Sequence, residues 1–349
     1  MMVFIIVLIL FLILLFTFSN GAHDVSNIIA TMISSGAMTA RRALILAVLC
    51  EIIGPLVGGT MVANAMASLI NAQAIAQKFG SGCVLMIVAA GVGAAIGWNF
   101  ITLFLGLPSS SSHALCGGLL GAALMATRHA AFIQWGFKGF NVLRIRGVAG
   151  IGASLFLSPL LGFIGGYLAA GVMRALLKTA SPRVNVFLKQ AQTLTASALA
   201  FSHGTNDAQK SMGLIALVLA TSGLLPGFQI HFWIKVLCAV AMTLGAITGG
   251  WRIVKTIGRG IFHLRPEHGF ETQIASSLII LGNSLVGGPV STTHIVSTTV
   301  MGVGTAVRIK AVRWQKVREI LLAWIITLPF TGILGGIFYL VFSLLHLTI

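Results

Sequence analysis

The sequence predicts an all-α integral membrane protein built as a duplicated, inverted-repeat helical bundle, and three observations carry the prediction. The chain has 349 residues, of which 57% are hydrophobic and only 8% charged, with a mean hydropathy of +1.01. Several apolar runs are long enough to cross a hydrocarbon layer of about 30 Å, which takes roughly 20 helical residues. Two short polar motifs each occur twice, in the same order along the chain.

A soluble domain carries about 25% charged residues because its surface faces water. Only lipid removes that requirement. The apolar runs are Met2–Phe18, Ala43–Ile70, Val84–Leu107, Val148–Met173, Leu194–Leu225, Phe232–Ile247 and Ile320–Leu347. Backbone donors and acceptors in lipid must be satisfied internally, so the spans are helices or a closed barrel. Runs this continuous do not alternate, which excludes the barrel and predicts about 10–12 transmembrane segments. The opening run lacks a basic flank, the first Lys or Arg being Arg41, and no small-x-small site follows Phe18. It is read as a retained first span in a multi-pass protein of the cell membrane.

Twenty-two Lys and Arg against six acids give a formal charge of +16. The basic residues gather between apolar runs, at Arg128–Arg146, Arg174–Lys189, Arg252–Arg265 and Arg308–Arg318. Retention of basic loops on one side of a membrane explains this better than an anion vestibule. No basic stretch is interleaved with aromatics, which argues against nucleic acid. Cys50, Cys83, Cys116 and Cys238 stand singly in apolar surroundings and read as packing residues.

The repeat organises the rest. Asn20-Gly21-Ala22-His23-Asp24-Val25-Ser26-Asn27 corresponds to Ser202-His203-Gly204-Thr205-Asn206-Asp207-Ala208-Gln209-Lys210. Leu107-Pro108-Ser109-Ser110-Ser111-Ser112-His113 corresponds to Gly288-Pro289-Val290-Ser291-Thr292-Thr293-His294. Asp207 follows Asp24 by 183 residues and Pro289 follows Pro108 by 181. The expected division is a first half over 1–173 with a hairpin near 101–126, a linker over 174–189 containing Ser181-Pro182-Arg183, and a second half over 190–349 with a hairpin near 282–307. Such repeats are common in secondary transporters, whose sites lie at the interface of the halves.

The chain's two aspartates, Asp24 and Asp207, occupy equivalent places. A charge at membrane depth costs at least about 2.5–3.5 kcal/mol, so a matched pair points to a bound partner. The structural alternatives are pairing with a nearby His, or capping, because Asn-Gly-x-x-Asp resembles a helix break with an N-cap. The second motif pair is a Pro followed by hydroxyls and a His, set among glycines. About eight apolar residues on either side are too few to span the layer. This predicts a re-entrant hairpin whose tip presents Ser110, Ser111 and Ser112, or Ser291, Thr292 and Thr293, with helix N-terminal amides suited to an oxyanion. His113 and His294 are expected to fix the tips, and His23 and His203 are read likewise. Glu51, mid-span and without an acidic counterpart, is either a proton or cation group or a bonded interhelical Glu. Ser, His and Asp are all present, but they recur symmetrically in Gly-rich apolar settings without a nucleophile elbow, which argues against a hydrolase.

At these motifs the chain resembles the inorganic phosphate transporter (PiT) family of cation–phosphate symporters. The family's repeated Gly-Ala-Asn-Asp-Val-Ala-Asn signature is similar to Gly21–Asn27 and Gly204–Lys210, and its Pro-Val-Ser-Thr-Thr-His signature to Pro108–His113 and Pro289–His294. The resemblance implies phosphate held by Ser110, Ser111, Ser112, Ser291, Thr292 and Thr293. It implies a cation-linked site at Asp24, Asn27, Asn206 and Asp207. His23 stands where the family often has Asn, and Lys210 where the second motif would have its last Asn. A fixed ammonium there would take the place of a bound Na⁺, and proton-coupled bacterial members look similar in both respects. Lys210 is therefore placed in the coupling site, with H⁺ preferred over Na⁺; a side chain that merely snorkels to an interface is the plain alternative. The implied partners are phosphate, H⁺ or Na⁺ and the lipid bilayer, with no cofactor and no nucleic acid. A homo-oligomer is left open. Another oxyanion such as sulfate or arsenate is the alternative substrate, though phosphate, unlike sulfate, keeps a proton near neutral pH.

Overall fold

The computed structural model describes residues 2–136 and 147–345. The end of the basic stretch Arg128–Arg146 and the last residues of the run Ile320–Leu347 lie outside them. Thirteen α-helices make up the described residues, with no strand among them beyond an isolated bridge between Ile70 and Ile133.

The first half contains α1 (Met2–Ser34), α2 (Ala40–Val57), α3 (Met61–Ala67), α4 (Ala72–Phe79), α5 (Ser81–Leu105), α6 (Ser111–Thr127) and α7 (Gly147–Leu176). The second contains α8 (Val184–Thr221), α9 (Phe232–Thr248), α10 (Trp251–Lys255), α11 (Pro266–Leu285), α12 (Thr292–Val307) and α13 (Trp314–Leu344). A π turn at Thr256–Ile261 extends α10.

The packing obeys an exchange of halves. α2 packs on α8, and its counterpart α9 packs on α1. α6 lies along α13, while α12 lies along α7. Each half's closing helix therefore covers the other half's hairpin. Even the bends recur: α2 meets α3 at 75°, and α9 meets the α10 segment at 65°.

The exterior is apolar and the interior polar, the reverse of a soluble protein. On α7, Phe156 is 74% exposed while Ser158 is fully buried. Without a hydrophobic drive between helices in lipid, packing and interior polar contacts must hold them together. α1, α5, α7 and α13 are each long and apolar enough to cross a membrane, as are the two bent pairs. α8, α11 and α12 carry their polar residues on interior faces, so composition marks them less clearly as spans.

Two expectations about local structure are corrected. The Asp24 and Asp207 motifs do not break their helices: α1 and α8 run continuously through them. Gly21 and Gly204 are required there by close approach, not by a turn. A Cβ on Gly21 would lie 2.0 Å from the Met242 carbonyl oxygen of α9, and on Gly204 2.4 Å from that of Glu51 on α2. The hairpin arms are also longer than the eight-residue flanks suggested, at 25 and 17 residues in the first half and 20 and 16 in the second. The tips themselves are as expected. α5 ends on left-handed Gly106 (φ 69°), α11 is followed by left-handed Gly287 (φ 79°), and the chain then runs extended into the N-cap of the next helix.

Candidate functional site

The two aspartates that the sequence places in equivalent positions come together in space. Ligand atoms of Asp24, His203 and Asp207 all lie within 4.8 Å of one another, and all three residues are buried. Sequence equivalence did not require this; the crossing of α1 and α8 produces it. Just outside the cluster the two helices are tied by a hydrogen bond from Thr17 to Ser211 of 2.7 Å.

Each carboxylate is wired to both hairpin tips or to the opposite half. Asp24 Oδ1 accepts from Thr293 at 2.8 Å, and Oδ2 from Ser111 at 3.1 Å. His23 Nδ1 lies 2.8 Å from Asp24 Oδ1, and its Nε2 faces Thr102 and the Leu107 carbonyl. Asn27 donates to Thr293 at 2.9 Å. Asp207 Oδ2 accepts from Asn20 at 3.2 Å and from Thr292 at 3.3 Å. Lys210 Nζ donates to Asp207 Oδ1 at 2.7 Å and is fully buried, which rules out snorkelling to an interface. His203 links outward: Nδ1 lies 2.7 Å from Glu51 Oε1, and Nε2 3.4 Å from Asp207 Oδ2. Glu51 is thus the bonded interhelical Glu of the two readings, and its other oxygen has no partner among the described residues.

The hydroxyls divide by role. Ser111, Thr292 and Thr293 reach the carboxylates. Ser112 instead donates across to the Val290 carbonyl of the other tip at 3.0 Å. Ser110 and Ser291 serve as N-caps, accepting from the backbone N–H of His113 and His294 at 3.1 and 3.3 Å. Asn206 points to the base of its own hairpin, donating to Ser284 at 2.8 Å. The histidines fix the tips as expected. His113 Nδ1 lies 2.7 Å from Ser110 Oγ, the His113 and His294 rings stack at 4.8 Å, and His294 stacks on Trp324 at 3.7 Å. Trp324 in turn donates to the Pro108 carbonyl at 2.8 Å.

The N-termini of α6 and α12 therefore converge beside two carboxylates. Their positive dipole ends and free first-turn amides favour an anion. The carboxylates beside them favour a proton or a cation. An anion and a compensating positive charge can be held together here, which neither set of groups would do alone.

The model of the phosphate transporter family matches this chain twice, over residues 20–182 and 177–335. The chain belongs to that family. The double match coincides with the internal repeat. A probable low-affinity inorganic phosphate transporter of Bacillus subtilis is 36% identical, covering 97% of each chain. One of Rhizobium meliloti is 35% identical over 93% of each. The fold is similar to a solved structure titled the sodium-dependent phosphate transporter, at a TM-score of 0.83 and 24% identity over 97% of this chain and 99% of that one. The protein is thus a multi-pass membrane transporter of the phosphate transporter family and not an enzyme.

Sequence reasoning missed Asn20 as a site residue, although it sits one turn before Asp24 in the quoted motif. It also left His203 as a tip-fixing residue, whereas it joins Glu51 to Asp207. The available signal was position: Asn20 and His203 are themselves separated by 183 residues, as the aspartates are.

Proposed function

We propose that the protein carries inorganic phosphate across the membrane together with a proton. Phosphate is held between the two hairpin tips, at the α6 and α12 N-termini, by Ser111, Thr292 and Thr293 with help from neighbouring tip hydroxyls. Asp24 and Asp207, with Asn27, Asn206 and Lys210 beside them, carry the coupling.

The observation that supports H⁺ over Na⁺ is the Lys210 ammonium, 2.7 Å from Asp207 and fully buried. It sets an ammonium directly against one of the two carboxylates. A metal cation brought to Asp207 would meet that charge at close range, in surroundings where Coulomb forces are weakly screened. Asp24, without an ammonium of its own, remains the carboxylate to accept a proton. Phosphate itself carries a proton near neutral pH, so a proton acceptor beside the anion site favours it over sulfate.

Uptake of labelled phosphate into proteoliposomes, with pH and Na⁺ gradients imposed separately at fixed ionic strength, tests the reading. Accumulation should follow the pH gradient and be indifferent to Na⁺. Strong Na⁺ stimulation that survives collapse of the proton gradient assigns the other ion.

A further inference from the structure

A stripe of buried polar residues leads from the central site to one face of the bundle. On α1, Asn27 is followed by Thr31, and Ser35 stands in the turn just past the helix end, each four residues further on and all buried. Gln273 of α11 donates to Thr31 at 3.1 Å and accepts from Thr195 of α8 at 2.6 Å. Gln192 of α8 accepts from Gln273 at 3.2 Å and from Ser35 at 2.8 Å, and donates to the Pro266 carbonyl at 2.9 Å. Pro266 is the first residue of α11, at one end of the bundle. There Arg265, Glu267, His268 and Glu271 line, with Arg174 and Lys178, a cavity of about 410 Å³.

Thr272 and Ser276 of α11, beside Gln273, and Ser297 of α12 have buried hydroxyls with no hydrogen-bond partner among the described residues. Buried polar groups without a protein partner are normally satisfied by water.

The repeat supplies an internal control. By the offset of 183, the counterparts of Thr31, Ser35, Gln192 and Thr195 are Leu214, Val218, Ile9 and Leu12. By the offset of 181, the counterparts of Thr272, Gln273, Ser276 and Ser297 are Gly91, Val92, Ala95 and Cys116. Beyond Asn27, whose counterpart is Lys210, each of these polar positions is matched by a residue without a strong hydrogen-bonding side chain. Ile9, Val92, Ala95, Leu214 and Val218 are buried together in one apolar cluster. An inverted repeat with equal halves would lead to both faces alike. This chain does not.

We infer that the protein has a built-in hydrated passage from Asp24 to one membrane face only, the face where α1 ends and α8 and α11 begin, and that the equivalent route to the other face is an apolar seal. The passage admits water, and with it protons, without any rearrangement of helices. The seal opens only when helices separate. The inference concerns access and holds whichever cation is coupled.

Cysteine labelling tests it. Ser276→Cys and Ala95→Cys occupy equivalent places, and Ser297→Cys is matched by native Cys116. A small hydrophilic thiosulfonate is added from each face in turn, in cells and in inverted vesicles, with the wild type as baseline. Ser276→Cys and Ser297→Cys should label from one and the same face. Ala95→Cys and Cys116 should label at least roughly tenfold more slowly, because they wait on local opening. Equal labelling of Ser276→Cys and Ala95→Cys overturns the inference, as does a Ser276→Cys protein that takes up phosphate yet labels from neither face. Where the variants fail to fold, radiolytic footprinting of the wild type decides. Leu199 on the stripe side should be oxidised while its counterpart Phe16, the intrinsically more reactive side chain, is protected; the reverse pattern refutes the passage.

Discussion

Asn27 and Lys210 hold the same place in the two halves, each three residues beyond an aspartate, and each points its nitrogen back at it. Asn27 Nδ2 is 3.5 Å from Asp24 Oδ1, and Lys210 Nζ is 2.7 Å from Asp207 Oδ1. One carboxylate thus has an ammonium three residues on and the other an amide. The halves are alike in backbone and unlike in the group that faces each aspartate.

The tip hydroxyls should separate in function. Ser111→Ala and Thr292→Ala each remove a donor beside the carboxylates at the tips. Losing one hydrogen bond to a charged group costs about 1.5–3 kcal/mol, or roughly ten- to a hundredfold in affinity. Ser110→Ala instead removes a cap, costing about 1 kcal/mol of stability. Concentration dependence of phosphate uptake, read beside thermal melting in detergent, should show the first two moving KM and the third moving Tm. Unchanged KM in both tip variants would take these residues out of the site.

Asp24→Asn and Asp207→Asn should abolish accumulation of phosphate against a gradient, for different reasons. At Asp24 the amide cannot accept the proton. At Asp207 it leaves the buried Lys210 ammonium uncompensated, and breaking a buried pair this way costs about 3–5 kcal/mol. Asp207→Asn is therefore expected to melt earlier than Asp24→Asn. A monodisperse Asp24→Asn protein that still concentrates phosphate contradicts its role.

Gly21→Ala should destabilise the packing of α1, the helix that carries Asp24, against α9, since the new methyl would sit 2.0 Å from the Met242 carbonyl. Overpacking of this kind costs about 1–3 kcal/mol and more where backbone must move. Gly59→Ala, whose Cβ would meet nothing within 4 Å, is the matched control. Comparable melting temperatures for the two variants would mean that α1 and α9 can part without loss.

The helical membrane fold and the identity of its polar motifs were legible because lipid removes the need for a charged surface, and a charge or a hydroxyl cluster in lipid is too costly to be incidental. What the motifs do to each other was not. That Asp24 meets Asp207 depends on α1 and α8 packing against each other, a contact between residues far apart in sequence. That Ser110 and Ser291 are caps, while their neighbours face the carboxylates, depends on where the helix begins within a run of similar hydroxyls. Position alone resolves this to within a residue or two, which is the whole difference between a cap and a ligand.

Lys210→Asn decides the coupling ion. The substitution makes the second half resemble the first, with an amide three residues beyond each aspartate, and removes the fixed charge from Asp207. Two uncompensated carboxylates would then lie within 4.8 Å of each other and of His203. Like charges so close favour uptake of a cation or a proton to relieve them. Proton-driven accumulation should be lost, because the difference between the two carboxylates is gone. A weak dependence on Na⁺ should appear, since a metal cation can now occupy the space the ammonium held. The check is initial uptake at fixed ionic strength with Na⁺ replaced by choline, in wild type and variant side by side. A Lys210→Asn protein that still follows the pH gradient like the wild type would show that the ammonium only packs the interior, and the coupling would have to rest on Asp24 with its His23 partner instead.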